Sequence, residues 1–212
     1  MRHILALPFA LALAAAPLSA FAQTDVSAEA VPASEATAAA VEAGTYGFDA
    51  DHSQIVFHYN HMGFSTSFGF VNGLSGEAVL DPADPAKSTI TASFPLSKLQ
   101  TVSKGLDEHL MGDDFFKGAA PDTQVTFVST EVAPDGDNKA KVTGDLTLNG
   151  VTKPVVLDVT LNKAAPSPMT NVATVGFEAT TEIKRSDFNL GAFVPAVSDE
   201  VQIRIDAEMN KQ

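Results

Sequence analysis

Three groupings of residues in this chain have types and spacing that chemistry could use. Asp51-His52-Ser53 sets a carboxylate, an imidazole and a hydroxyl side by side, the ingredients of nucleophilic catalysis. A triad, however, is a spatial constellation, and adjacent residues on a strand project to opposite faces, so this run reads as polar turn contacts and no catalytic residue is assigned. His52, His58, His61 and His109, with Asp107, Asp113 and Asp114 nearby, invite a metal reading. The spacing of His58 and His61 is not one that zinc sites use, and the chain has no cysteine, so no metal is expected. The histidines fit better as hydrogen-bonding groups at the mouth of a barrel, where a change of charge between about pH 6 and 7 would adjust its opening. Arg185-Ser186-Asp187-Phe188 offers two readings of equal weight. One is a turn whose Asp caps backbone amides; the other is a cation facing a polar or anionic ligand head.

These residues sit among runs of alternating apolar and polar side chains. Val201-Gln202-Ile203-Arg204-Ile205-Asp206-Ala207-Glu208-Met209 is the clearest, with the period of a strand that has one dry and one wet face. Further runs cover Thr45–Asp49, Ser53–Asn60, Ser67–Leu80, Lys87–Leu96, Thr123–Val132, Val142–Leu148, Val155–Leu161 and Val172–Ile183. Asn72-Gly73 and Gly76 interrupt the third of these, as bulges or bends in a curved wall would. Asn149-Gly150 between two alternating runs is a two-residue hairpin turn, because Asn and Gly accept the left-handed backbone that a type I′ turn requires. Between the middle strands, Val102–Phe116 loses the period of two. Leu106, Leu110 and Met111 recur there at helical spacing, so a short amphipathic helix is expected to plug or flank one end. The pattern predicts an all-β fold, an antiparallel barrel of eight strands with that one helix.

Alternation alone leaves the direction of the apolar face open. With no Trp and two Tyr the chain lacks the aromatic girdles of an outer-membrane barrel, so the apolar face is expected inside and no stable membrane insertion is expected. Residues 1–22 read as a cleaved secretory signal: Met1-Arg2-His3, an apolar run over 4–18, and Ala20-Phe21-Ala22. Residues 23–43 are Ala-rich without an aromatic and read as a flexible linker to a single domain over 44–212. Export with zero cysteines suits a periplasm and leaves stability to the core. A formal net charge of -13 argues against nucleic acid and against electrostatic docking on anionic lipid.

Twelve of the fourteen Phe lie in the domain, and small residues such as Ala92, Gly144 and Ala179 share their strand faces, which leaves room for a tunnel. HSQIVFHYNHMGFS (52–65), HLMGDDFF (109–116), GDLTLNGVTKPV (144–155) and IKRSDFNLG followed by SDEVQIRIDAE together resemble the YceI family, in order and over nearly all of Gly44–Met209. The resemblance implies a lipocalin-like barrel with a long apolar pore, a bound polyisoprenoid or other long-chain lipid, and often a homodimer. Two positions depart from the family pattern. The helix segment keeps Asp107 without the Arg that usually precedes it, and Asn189 follows RSDF where Gly is usual.

The expected function is therefore a periplasmic binding protein, not an enzyme. It would hold a long isoprenoid or quinone-like lipid without covalent attachment, for transport, storage or stress protection. Its wall is assigned to Phe57, Tyr59, Phe68, Phe70, Phe94, Phe127, Leu146, Leu148, Phe177 and Ile183, with Leu106, Leu110, Phe115 and Phe116 as a gate. His52, His58, His61, His109 and Arg185 are assigned to the mouth, near the head group. The rivals are a stress or interaction module that docks a membrane protein with lipid incidental, and an enzyme acting on quinones or lipids. The last would need a titratable group deep in the barrel, and the inward-facing set contains none.

Overall fold

The computed structural model describes residues 40–212, so the expected signal and most of the expected linker lie outside the described residues. The strands are β1 (Gly44–Phe48), β2 (Gln54–His61), β3 (Ser65–Val71), β4 (Ser75–Leu80), β5 (Thr89–Pro95), β6 (Leu99–Thr101), β7 (Gln124–Pro134), β8 (Lys139–Leu148), β9 (Val151–Pro166), β10 (Ala173–Lys184) and β11 (Glu200–Lys211). The one α-helix among the described residues, α1, covers Lys104–Leu110.

The first six strands are three long ones, each broken once. β1 and β2 lie end to end along β11, with Phe48 opposite Met209 and Gln54 opposite Asp206. β4 and β3 continue the next strand, and β5 and β6 the one after. Every neighbouring pair is antiparallel and consecutive, and β11 returns to pair with β1 and β2. The result is a closed up-and-down barrel of eight strands, an architecture that leaves few unpaired sheet edges.

The breaks matter because a strand's facing has period two, so one inserted residue exchanges its faces. Tyr46 and Phe48 point inward from β1, but after the break it is Ile55, Phe57 and Tyr59 that line the lumen. In β7 the bulge at Thr130 does the same: Val125 and Phe127 face in before it, Val132 and Pro134 after it.

The Asn149-Gly150 turn forms as expected, with φ of 51° and 72°. Asn149 also donates its side-chain amide to the carbonyl of Phe188 at 3.0 Å, tying the hairpin tip to the turn that follows β10. Asn189 sits at φ 58°, ψ 27°, the left-handed region Gly occupies most easily and Asn tolerates best among the rest, which accounts for its use there. Helix α1 starts at Ser103, whose hydroxyl accepts from the Leu106 amide at 3.2 Å. Asp107 accepts from both the amide and the hydroxyl of Thr101 at 2.7 Å, so this carboxylate fastens the helix to β6.

Apolar packing concentrates at the two ends. At the end where β1 begins, Tyr46, Ala78, Leu161, Val175 and Met209 form a buried cluster. Val41 packs on it, and Tyr46 donates its hydroxyl to the Glu42 carbonyl at 2.9 Å, so barrel contacts begin just ahead of β1. At the helical end, Leu96, Phe116, Val125, Phe188 and Leu190 form a second cluster.

Candidate ligand-binding cavity

Between these clusters the barrel encloses a cavity of about 590 Å³ with an almost wholly apolar lining. That volume lies within the range of small-molecule sites, roughly 300–1,000 Å³. Its lining runs from Val41, Pro82 and Pro85 at one end, through Ile90, Leu157, Ile205 and Phe177, to Leu106, Leu110 and Phe193 at the other.

A phenylalanine-rich lumen would close on itself if the rings projected to its axis. Two of them are accommodated by glycines instead. A methyl group built on Gly69 would lie 2.0 Å from Phe57 Cζ, and one on Gly144 would lie 2.3 Å from Phe127 Cζ. Each ring thus occupies the space above a neighbouring glycine, against the wall.

Of the fourteen side chains assigned from sequence to wall and gate, twelve line this cavity: Phe57, Tyr59, Phe94, Leu106, Leu110, Phe115, Phe116, Phe127, Leu146, Leu148, Phe177 and Ile183. Phe68 and Phe70 do not. They face outward on β3 and are close to half exposed, Phe68 packing on the His58 ring at 5.4 Å between centroids. The cause is the break between β3 and β4. Ala78 and Leu80 face in from even positions, but ahead of Asn72-Gly73 the inward residues are Gly69 and Val71, because Gly69 pairs with Phe57.

Sequence reasoning also missed much of the wall. Leu157, Val159 and Leu161 on β9, and Ile203, Ile205 and Ala207 on β11, all line it. The period-two alternation of β9 and β11 is the signal that places them there. Met62 and Phe193 line the cavity from loops, where no periodic signal exists.

The polar residues assigned to the mouth divide. His61 and His109 line the cavity at the helical end, and His109 Nε2 lies 3.1 Å from Asp114 Oδ2. Arg185 also reaches the lining there. Its five N–H groups are committed, however: Nε and Nη2 donate to the Ser198 carbonyl at 3.0 and 2.8 Å, Nη2 to Val197 at 3.2 Å, and Nη1 to Leu190 and Ala192 at 2.5 and 3.3 Å. Burial pulls its pKa below the ordinary guanidinium value, with Asp199 and Tyr59 opposing. Arg185 therefore holds the 190–198 loop and has no N–H left for a head group.

His58 points outward, and His52 lies on the outer wall at the β1–β2 break. Neither is at the mouth. Ser53 is buried and exchanges hydrogen bonds with the Glu208 backbone, while His52 Nδ1 meets Asp49 Oδ2 at 3.0 Å, so Asp51-His52-Ser53 is not an assembled triad. Asp49, His52 and Glu208 are the one group among the described residues whose potential ligand atoms converge, within 4.8 Å; His58, His61 and His109 do not join it.

The Asp49 hydrogen bond raises the His52 pKa, and the same bond lowers that of Asp49. A raised imidazole adds stability that is complete below its unfolded value, about 6.5, and is lost as pH rises through its folded value. A lowered carboxylate adds stability above its unfolded value, about 3.9, and loses it as pH falls. The pair therefore acts between about pH 4 and 6.5. His52→Gln is expected to lower the melting temperature slightly near pH 5.5 and not at all by about pH 8. An equal difference at both pH values would show that charge at this break is irrelevant.

Comparison with known proteins agrees with this architecture. The YceI-like domain family matches residues 46–209. A UPF0312 protein of Pectobacterium atrosepticum is 35% identical over 179 residues, covering 84% of this chain and 92% of that protein. Among solved structures, BcnA of Burkholderia cenocepacia is similar at 28% identity and a TM-score of 0.67, covering 76% of this chain and 98% of its own. A polyisoprenoid binding domain from Saccharophagus degradans, implicated in plant cell wall breakdown, superimposes with a TM-score of 0.58 at 16% identity, over 81% of this chain and all of that one. At that identity the likeness is one of fold. With the match spanning the whole barrel from β1 to β11, the chain belongs to the YceI-like domain family.

Proposed function

We propose that this protein is a periplasmic carrier that holds one long-chain isoprenoid, or a quinone-like lipid of similar girth, without covalent attachment. The observation that carries the reading is the apolar cavity running the length of the barrel. Each methylene buried there contributes about 0.8 kcal/mol, close to the net worth of a hydrogen bond. A chain of many methylenes thus outweighs any single polar contact, and the site selects by length and girth. The polyisoprenoid-binding relative of the same fold supports this choice of ligand, and the apolar leader over 4–18 supports export to the periplasm.

The family and this neighbour point to binding rather than catalysis. The cavity supports that too: its charged and imidazole groups, among them His61, His109, Asp81 and Lys139, lie at the two ends, with hydrocarbon between. The test is organic extraction of natively purified protein followed by mass spectrometry. One prenyl species near one per chain is expected. An empty extract, from a barrel that also refuses added prenyl lipid, would make the cavity incidental and place the function on the surface.

A further inference from the structure

The helical end of the barrel carries several exposed apolar side chains. Phe64 at the β2–β3 turn is 88% exposed and Val102, just ahead of α1, 76%. Met62 in the same turn is 47% exposed, Phe193 in the β10–β11 connection 50%, and Val194 stands beside it. Met62 and Phe193 also line the cavity, so this surface is continuous with the lumen.

The backbone sets Met62 and Phe193 at the rim, partly in the lumen and partly in solvent, at a cost. Met62 and Phe193 adopt φ of 55° and 64°, the left-handed region that residues with a side chain avoid. The turn is latched in place: the Met62 amide donates to Ala196 O at 3.0 Å, the Asn60 amide to Ser198 Oγ at 3.0 Å, and the Gly63 amide to Asn60 Oδ1 at 2.7 Å. A strained, latched turn that displays Met and Phe to water implies an apolar partner.

We propose that this end docks on a lipid bilayer. Phe64, Met62, Val102 and Phe193 enter the boundary between head groups and acyl chains and join the lumen to the hydrocarbon, so that a lipid tail moves between them without crossing water. The inference rests on the lipid-holding reading above. Charge selects the kind of surface. Exposed Glu108, Asp113 and Asp114 lie at this end. Lys104 is paired with Glu108, Asp114 meets His109, and the charge of exposed Lys117 stands against that of Asp113. The end thus offers anionic head groups no unopposed cation, while the chain as a whole is acidic and repels them. The partner is a zwitterionic surface.

Neither Phe64 nor Val102 lines the cavity, so both can be changed without touching the lumen. The experiment is co-sedimentation with phosphatidylcholine vesicles, with and without phosphatidylglycerol, for the full chain and a Phe64→Ser/Val102→Ser variant. Binding to phosphatidylcholine that weakens as phosphatidylglycerol is added is expected, with a loss of about tenfold or more in the variant. Co-purified lipid should be unchanged. No binding by the parent, equal binding by the variant, or binding that strengthens with phosphatidylglycerol would each overturn the docking face. So would sedimentation equilibrium showing a dimer that the Phe64→Ser/Val102→Ser change dissociates, while vesicles go unbound. Vesicle binding by a barrel that yields no lipid on extraction and refuses added prenyl lipid would instead uphold the docking face and remove the holding reading.

Discussion

Phe177→Asp is expected to empty the barrel while leaving it assembled. Phe177 lies on β10 between Leu161 of β9 and Ala207 of β11, lines the cavity, and packs against the Tyr46–Met209 cluster. Two effects follow from the substitution. Loss of the ring removes apolar contact worth about 1.5–3 kcal/mol when fully buried. The larger effect is the carboxylate. In an empty cavity water can solvate it, but a hydrocarbon chain drawn past it must strip that water, at a cost of several kcal/mol. Binding should fall by more than about a hundredfold, or roughly 3 kcal/mol. The closed ladder of eight strands persists, with a modest loss of melting temperature. Phe177→Leu keeps a hydrocarbon at the position and should retain lipid near the parental level. Extraction and mass spectrometry of both variants, alongside their circular dichroism, decides the matter. If the Asp variant folds and still yields lipid at the parental ratio, the chain does not run past β10 and the cavity assignment is wrong.

What could be read in advance, and what could not, divides along physical lines. Alternation along β8, β10 and β11, and along β9 as far as its bulge at Asn162, is long enough to give facing directly, and Asn149-Gly150 gives both the turn and its register. The break after β3 defeats that logic. Reading Ser67–Leu80 as one strand carries the facing of Leu80 back to Phe70 and Phe68, but facing across a break is fixed by the neighbouring strand. It is the pairing of Gly69 with Phe57 that turns the two phenylalanines outward. Positions such as Phe193 were illegible for another reason. Its place in the cavity depends on a left-handed backbone in a loop, and nothing about a Phe announces that. Arg185 left two readings open because both begin from a cation at the end of a strand; only its partners distinguish them.

Those partners make Arg185 the position at the cavity's end where substitution should cost most stability. Its five N–H groups reach the carbonyls of Leu190, Ala192, Val197 and Ser198, so one side chain closes the whole turn between β10 and β11. Arg185→Met keeps most of the apolar stem and deletes every donor. Each carbonyl left without a partner costs about 1–3 kcal/mol where water cannot reach it. Water will reach some of them as the loop relaxes, so a net loss of about 3 kcal/mol is expected, or roughly 6–12 °C in melting temperature for a domain of this size. Arg185→Lys tests the geometry: an ammonium has three donors on a compact head and cannot span four carbonyls set around a planar fork, so it should recover only a minor part of the loss. A head-group clamp makes the opposite forecast. There the charge matters and the fork does not, so both variants would melt like the parent and only the Met variant would lose lipid. Measuring both in delipidated protein removes the ligand from the comparison. Equal melting temperatures for parent and Lys variant would return Arg185 to the ligand. A large fall in both variants means that this arginine builds that end of the barrel.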